Sequence, residues 1–204
     1  MNRFDALAKT WDEEPARVAR ARAVARALVD RLDLSGAHVV DDGCGTGLLG
    51  FALLEIENVG TVTFIDPSEG MRDVVREKIA DLPPQRACVL APGEDLGGGR
   101  DLVASLMVLH HVPDPAWQIQ HWTEWLAPGG HLAIADLLTE DGSFHGDEHD
   151  DVHLGFDPDE VAAWMREAGL EPTDASTAFT MEKTVDGDER RYPVWLLTGQ
   201  LPPR

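Results

Sequence analysis

His38-Val39-Val40-Asp41-Asp42-Gly43-Cys44-Gly45-Thr46-Gly47 decides how this chain is read. His38 and two β-branched valines, followed by two acids, make a short strand that runs into a glycine loop. Leu48 to Glu57 then reads as a helix. A strand, a tight glycine turn and a helix opening on it form the start of a crossover unit, in which glycines let the backbone come close to a ligand. Working outward, Thr61 to Asp66 is a second strand, and Ser68 caps a helix that runs through Ala80. Cys88-Val89-Leu90 is a third strand. Leu102 to Val108, nearly all apolar, is a fourth that is covered on both faces.

Ala116 to Leu126 reads as a helix carrying Trp117, Trp122 and Trp125, which are expected in the core, as is Trp164. Pro128-Gly129-Gly130 turns the chain into a fifth strand, His131 to Leu138, and Pro158 to Ala168 forms another helix. About Thr173 to Glu182 and Tyr192 to Leu201 are two strands joined at Asp186-Gly187-Asp188. N-terminal to all of this, Pro15 to Leu32 shows an apolar face through Val18, Ala21, Ala25, Leu28 and Leu32. The expectation is an α/β fold with seven strands. The sheet is mostly parallel, with helices on both faces and an antiparallel C-terminal hairpin at its edge. A length of 204 residues suits one domain, 1–204, with no internal repeat.

Charge narrows the partners. Lys and Arg number 17 against 37 Asp and Glu, a formal net charge of −20. That surface repels nucleic-acid phosphates and anionic lipid, so neither is an expected partner. Cys44 and Cys88 cannot build a disulfide framework, and both are expected as buried reduced thiols. Met1 to Glu14 lacks the apolar run of a signal peptide, which makes a cytoplasmic location the expectation.

Two cofactors use a glycine loop at the end of a first strand. Gly45 to Gly50 matches G-x-G-x-x-G, with Asp66 following, as in dinucleotide-binding oxidoreductases. Asp41 and Asp42 stand where a pyrophosphate needs positive charge, and no Arg or Lys lies between His38 and Glu69. S-adenosylmethionine is cationic at that end, so the same acids attract it. Asp66 is placed to accept from both ribose hydroxyls.

The motifs carry a resemblance. Val39 to Gly47 resembles the first motif of class I S-adenosylmethionine-dependent methyltransferases, and Phe64-Ile65-Asp66-Pro67-Ser68-Glu69-Gly70-Met71 the second. Gly93-Glu94-Asp95-Leu96 is similar to their adenine-contact motif. Leu109-His110-His111-Val112-Pro113-Asp114 and Leu126-Ala127-Pro128-Gly129-Gly130 are similar to their signatures after strand four and before strand five. The likeness spans about residues 38–138 and points to the small-molecule group that includes the ubiquinone and menaquinone methyltransferases. It implies a Rossmann-like sheet, S-adenosylmethionine as cofactor and S-adenosylhomocysteine as product. It also implies cofactor contacts at Asp41, Gly43, Cys44, Gly45, Gly47, Asp66, Pro67, Met71, Gly93, Glu94, Asp95 and the Leu106 carbonyl. Pro92 replaces an Asp that many relatives use for adenine, so that contact passes to Glu94, Asp95 or backbone. In similar enzymes an N-terminal helical segment, here residues 1–32, folds over the cofactor, which makes Trp11 a lid aromatic.

On the substrate side, His110 and His111 follow strand four, and His111 is the better placed to face an acceptor. Asp136, near the end of strand five, is a further candidate. Residues 137–157 form an acidic, histidine-containing loop. From Leu137 to Glu160 there are nine acids and no Lys or Arg, which favours a neutral or cationic acceptor over a phosphorylated one. His145, His149 and His153 recur every four residues and would share one face of a helix. They are read as substrate-side groups, and no metal is assigned. The expected activity is methyl transfer to a small-molecule acceptor by in-line displacement, in a monomer or homodimer. The alternative is a sensor that binds the cofactor or its product without turnover.

Overall fold

Strands buried on both faces must be joined by helices that cross over them, and the computed structural model of the chain is built in that way. It describes residues 3–56, 58–145 and 153–203. The chain opens with α1 (Arg3–Leu7), a 3-10 stretch (Ala8–Glu13) and α2 (Pro15–Val29). Strands and helices then alternate: β1 (His38–Asp42), α3 (Leu48–Ile56), β2 (Thr61–Ile65), α4 (Glu69–Ile79), β3 (Ala87–Leu90), β4 (Arg100–Leu106), α5 (Pro115–Glu124) and β5 (Leu126–Leu137). After α6 (Pro158–Glu167) come β6 (Glu171–Pro172), β7 (Ser176–Val185) and β8 (Asp188–Gln200). The helices begin where the side chains predict. Ser68 Oγ accepts from Met71 N at 3.2 Å, and Asp114 accepts from Trp117 N at 3.0 Å.

Strand order is β3-β2-β1-β4-β5-β8-β6, with β7 paired to β8. The first five strands are parallel, and β8 joins β5 antiparallel. The seven expected strands are all present, and the two-residue β6 is additional. From β1 the chain proceeds outward to β2 and β3, then returns to place β4 on the other side. A crevice therefore opens at the carboxyl ends of β1 and β4, where order reverses.

Alternation along β1 divides its side chains between two cores. Val39 packs with α2 and α3 through Leu28 and Leu53, while Val40 packs with α5 and α6 through Trp122 and Val161. The same alternation sends Asp41 toward α3, where it accepts from Gly50 N at 2.9 Å. It sends Asp42 toward α5, where Trp122 Nε1 donates to it at 2.5 Å. Burial pushes the Asp42 carboxyl upward, and the Trp122 hydrogen bond draws it partly back.

Three expectations change. Trp117 is 58% exposed and lies flat on His121, whereas Trp122 is wholly buried. The two are five residues apart, so they occupy different faces of one helix. Cys88 is exposed because β3 is an edge strand covered incompletely, and only Cys44 is buried. Pro128-Gly129-Gly130 lies within β5 as a bulge, with Arg100 opposite Leu126 and Leu102 opposite His131. Among the described residues, no helix is long and apolar enough to cross a membrane.

Candidate active site

At the end of β1 the backbone turns under a cavity of about 510 Å3. Gly43 has φ +71° and donates its N–H to the Ile65 carbonyl at 2.8 Å. A Cβ there would meet Val108 Cγ2 at 2.4 Å, so the loop passes too close to the β4 side for any side chain. Gly45 differs: a Cβ would point into the cavity, 3.8 Å from Trp11 Nε1 and 4.0 Å from Met71 Sδ. Cys44 lies between them, its thiol pushed well up by burial and then by Asp41.

Asp66 fixes this turn. Its Oδ2 accepts from Gly45 N and its Oδ1 from Ser68 N, both at 2.8 Å. Burial raises its carboxyl, and those backbone N–H groups pull it partly back. Asp41 is fully enclosed, which raises its carboxyl to about 7 despite the Gly50 hydrogen bond. Asp41, Gly43, Cys44, Gly45, Asp66 and Trp11 all line the cavity, as do Pro67, Met71 and Leu106. Gly47 does not; its missing Cβ makes room for Phe51 and Phe64. Gly93, Glu94 and Asp95 also lie off the cavity wall, and the Glu94 carboxylate accepts from Ala91 N in its own turn.

The N-terminal segment forms the roof. Asp5 Oδ1 accepts from Ser68 Oγ at 2.6 Å and from Gly70 N at 3.1 Å. Asp12 accepts from Thr46 Oγ1 at 2.5 Å and from Lys78 Nζ at 2.6 Å. These bonds hold Trp11 over Gly45 and bring Phe4 edge-on to both Trp11 and His111. Sequence reading identified Trp11 but not Asp5, Asp12 or Lys78, because single acids and lysines in a polar segment carry no periodic signal.

The other end of the cavity is built from β4, β5 and the chain beyond them. His110 Nδ1 lies 2.6 Å from Asp136 Oδ1. The His110 N–H donates to Oδ2 at 3.3 Å, and Leu137 N–H donates to Oδ1 at 2.7 Å. Complete burial would raise the Asp136 carboxyl. The charge and hydrogen bond of His110, with the two backbone N–H groups, outweigh burial and hold it below the ordinary carboxylate range.

His111 and His145 complete a cluster, with ring centroids 4.1 Å and 5.3 Å from that of His110. One nitrogen from each ring lies within 4.8 Å of the others. Tetrahedral coordination at ~2.0–2.1 Å spaces nitrogens by roughly 3.3 Å, so the rings would have to close in to hold a metal. Among the described residues, the cluster assembled is not the expected trio. Neither His145 nor His153 lies in a helix, and His149 is outside the described residues. His153 instead places Nε2 3.1 Å from the Val112 carbonyl and donates its N–H to the His110 carbonyl at 3.0 Å.

Residues 40–132 match the family described as a methyltransferase domain. The ubiquinone biosynthesis O-methyltransferase of Xanthomonas euvesicatoria pv. vesicatoria is 32% identical over 197 residues, covering 86% of this chain and 82% of that one. The chain belongs to the class I S-adenosylmethionine-dependent methyltransferases. An uncharacterized methyltransferase of Schizosaccharomyces pombe is 30% identical across 78% of this chain, which spans 61% of that protein's length. The fold is shared with a S-adenosylmethionine-dependent methyltransferase from Aquifex aeolicus, at TM-score 0.70 and 19% identity over 97% of this chain and 98% of that one. S-adenosylmethionine is accordingly the cofactor, and the cavity suits it. An open cradle at Gly45 sits between two buried acids, Asp41 and Asp66, that a cationic ligand would relieve.

Proposed function

We propose that this methyltransferase methylates a hydroxyl group of a small-molecule acceptor, with His110 as general base. The observation that carries the reading is His110, on the wall of the cavity that also holds Asp41 and Asp66, paired with the buried Asp136 outside that wall. S-adenosylmethionine supplies an electrophilic methyl group when bound. Asp66 accepts from the ribose hydroxyls with the lone pairs that Gly45 and Ser68 leave open, and Asp41 with the Leu106 carbonyl receives the amino group. Pro67 and Met71 flank the adenine. The adenine roles of Gly93, Glu94 and Asp95 find no support in their position off the wall.

A hydroxyl is a poor nucleophile until it loses its proton. Asp136 holds His110 through Nδ1, which makes Nε2 the basic nitrogen and stabilises the imidazolium that forms. This supports His110 as the base, with His111 shaping the acceptor pocket beside Phe4 and His145. The 510 Å3 cavity, roofed by Phe4 and Trp11, supports a small acceptor enclosed beside the cofactor. The O-methyltransferase name of the Xanthomonas relative supports oxygen as the acceptor atom.

The test is methyl transfer from isotope-labelled S-adenosylmethionine to a panel of phenols. His110→Gln should lower turnover by about 10²-fold or more. S-adenosylhomocysteine affinity should stay within a factor of about two, since the lost group is not a cofactor contact. Undiminished turnover in that variant overturns the assignment.

A further inference from the structure

Four cations line the cavity, Arg3, Arg17, Arg20 and Lys183, beside the acids Glu14, Asp41, Asp66 and Glu182; among the described residues, three of the cations have no ion-paired carboxylate. They are Arg17 and Arg20 on α2 and Lys183 on β7. Among the described residues, no carboxylate stands within ion-pair distance of any of the three. Their hydrogen-bond partners are neutral. Arg17 Nη1 donates to the Trp11 carbonyl at 3.1 Å, and Lys183 Nζ donates to the Phe144 carbonyl at 2.8 Å. Among the described residues, Arg20 Nη1 donates to the Met181 thioether at 2.8 Å and its buried Nε has no hydrogen-bond partner. A thioether is a weak acceptor, so this guanidinium gives up most of its hydration for little return.

The three also repel one another. Burial, then Arg17, brings the Arg20 guanidinium down to about 10, and burial with Arg20 and Arg17 lowers Lys183. In a chain with 37 acids, an ion pair for each cation would be easy to supply. Carboxylates act on the three only from beyond ion-pair distance: Glu14 and Asp12 on Arg17, Asp136 on Arg20, Glu14 and Glu140 on Lys183. Positive charge facing a cavity with no directly paired carboxylate is the arrangement that a bound anion completes.

The cofactor accounts for one of these cations. It brings a single carboxylate, on its methionine end. Arg17 stands 3.7 Å over the ring of Trp11, and Trp11 stands over Gly45 in the cofactor cradle. Arg20 lies one helical turn further on, within electrostatic reach of Asp136, and Lys183 packs 3.9 Å over the Phe144 ring. Those two belong to the acceptor end, near His110 and His145.

We infer that the acceptor carries an acidic group, a carboxylate or similar oxyanion, bound by Arg20 and Lys183 while its hydroxyl faces His110. The inference rests on the methyltransferase reading of the cavity. It replaces the expectation of a neutral or cationic acceptor drawn from the acids of residues 137–160. Of those acids, Glu140, Asp141, Asp157, Asp159 and Glu160 are described, and none lines the cavity; Asp141 pairs with Arg190 at 2.7 Å on the surface. The abundance of acid in the sequence therefore does not set the sign of the pocket.

Calorimetric titration of the full chain, saturated with S-adenosylhomocysteine, tests this with 4-hydroxybenzoate against 4-hydroxybenzamide. The acid should bind at least ~10-fold more tightly than the amide, a difference of about 1.4 kcal/mol. Arg20→Gln should bring the two to equal affinity. Arg20→Lys should keep part of the preference, and Lys183→Gln should reduce it about threefold. Lys183 is on a hairpin strand, so its variant keeps the test open if Arg20→Gln fails to fold. Equal affinity for the two probes in the unaltered protein, or no binding of either, overturns the inference. So does Arg20→Gln lowering S-adenosylhomocysteine affinity tenfold with the probe preference intact, since the cation would then serve the cofactor. A protein that never binds S-adenosylhomocysteine would instead refute the cofactor reading beneath it.

Discussion

The two ends of the cavity are built by opposite means. The cofactor end is made of backbone and acids: Gly43, Gly45, Asp41 and Asp66 sit at the tips of β1 and β2, within about 25 residues of sequence. The proposed acceptor end gathers His110 after β4, backed by Asp136 on β5, with Phe144 and His145 beyond it, Arg20 on α2 and Lys183 on β7. One end is negative and local, the other is rich in cations and imidazoles and assembled across the chain. A sulfonium cofactor needs a fixed anionic seat, whereas an acceptor site must be remodelled without disturbing that seat. Placing the second site on separate elements allows this.

The sharpest way to break the contrast is Asp66→Ala. It removes the acceptor for Gly45 N and Ser68 N together with the proposed ribose contact. S-adenosylhomocysteine affinity should fall by at least ~10³-fold, about 4 kcal/mol, in calorimetry. Binding within tenfold of the unaltered protein would mean that the loop, not the acid, seats the cofactor.

Asp41 sharpens it through pH. Its carboxyl titrates at about 7 in the folded chain against 3.8 for the ordinary group. Between those values the native state holds the extra proton, so stability is fully present below 3.8 and declines as pH rises to about 7. Asp41→Asn should therefore stabilise the ligand-free protein by roughly 2–4 kcal/mol at pH 8 and by little at pH 4, measured by denaturant titration. Cofactor affinity should rise about tenfold from pH 6 to 8 as Asp41 ionises, and this dependence should flatten in Asp41→Asn. A pH-independent affinity in the unaltered protein would remove Asp41 from the seat.

The smallest effect tests the packing beneath the loop. Gly43→Ala pushes a methyl into Val108 and requires φ +71° of an alanine, costing about 2 kcal/mol of stability. Val108→Ala in the same chain should recover the steric part and leave the backbone part. Additive losses in thermal denaturation would show that the two residues do not press on each other.

The sequence by itself determined the sheet and the cofactor end. Alternation from His38 to Asp42 sets which core each β1 side chain enters, and the glycines and Asp66 lie in two short motifs whose spacing is local. Those features need only neighbouring residues, so periodicity and turn chemistry reveal them. Only the tertiary structure decided that Asp136 pairs with His110, 26 residues away, and that Trp122 holds Asp42, 80 residues away. It also decided that Arg20 meets Met181 across 161 residues, and that the ring of His145, not that of His153, joins the rings of His110 and His111. No local pattern encodes these pairings, because they follow from which strands and helices lie side by side. The sign of the acceptor pocket was hidden for the same reason: net charge sums over the whole surface, while the pocket is lined by a few residues that packing selects.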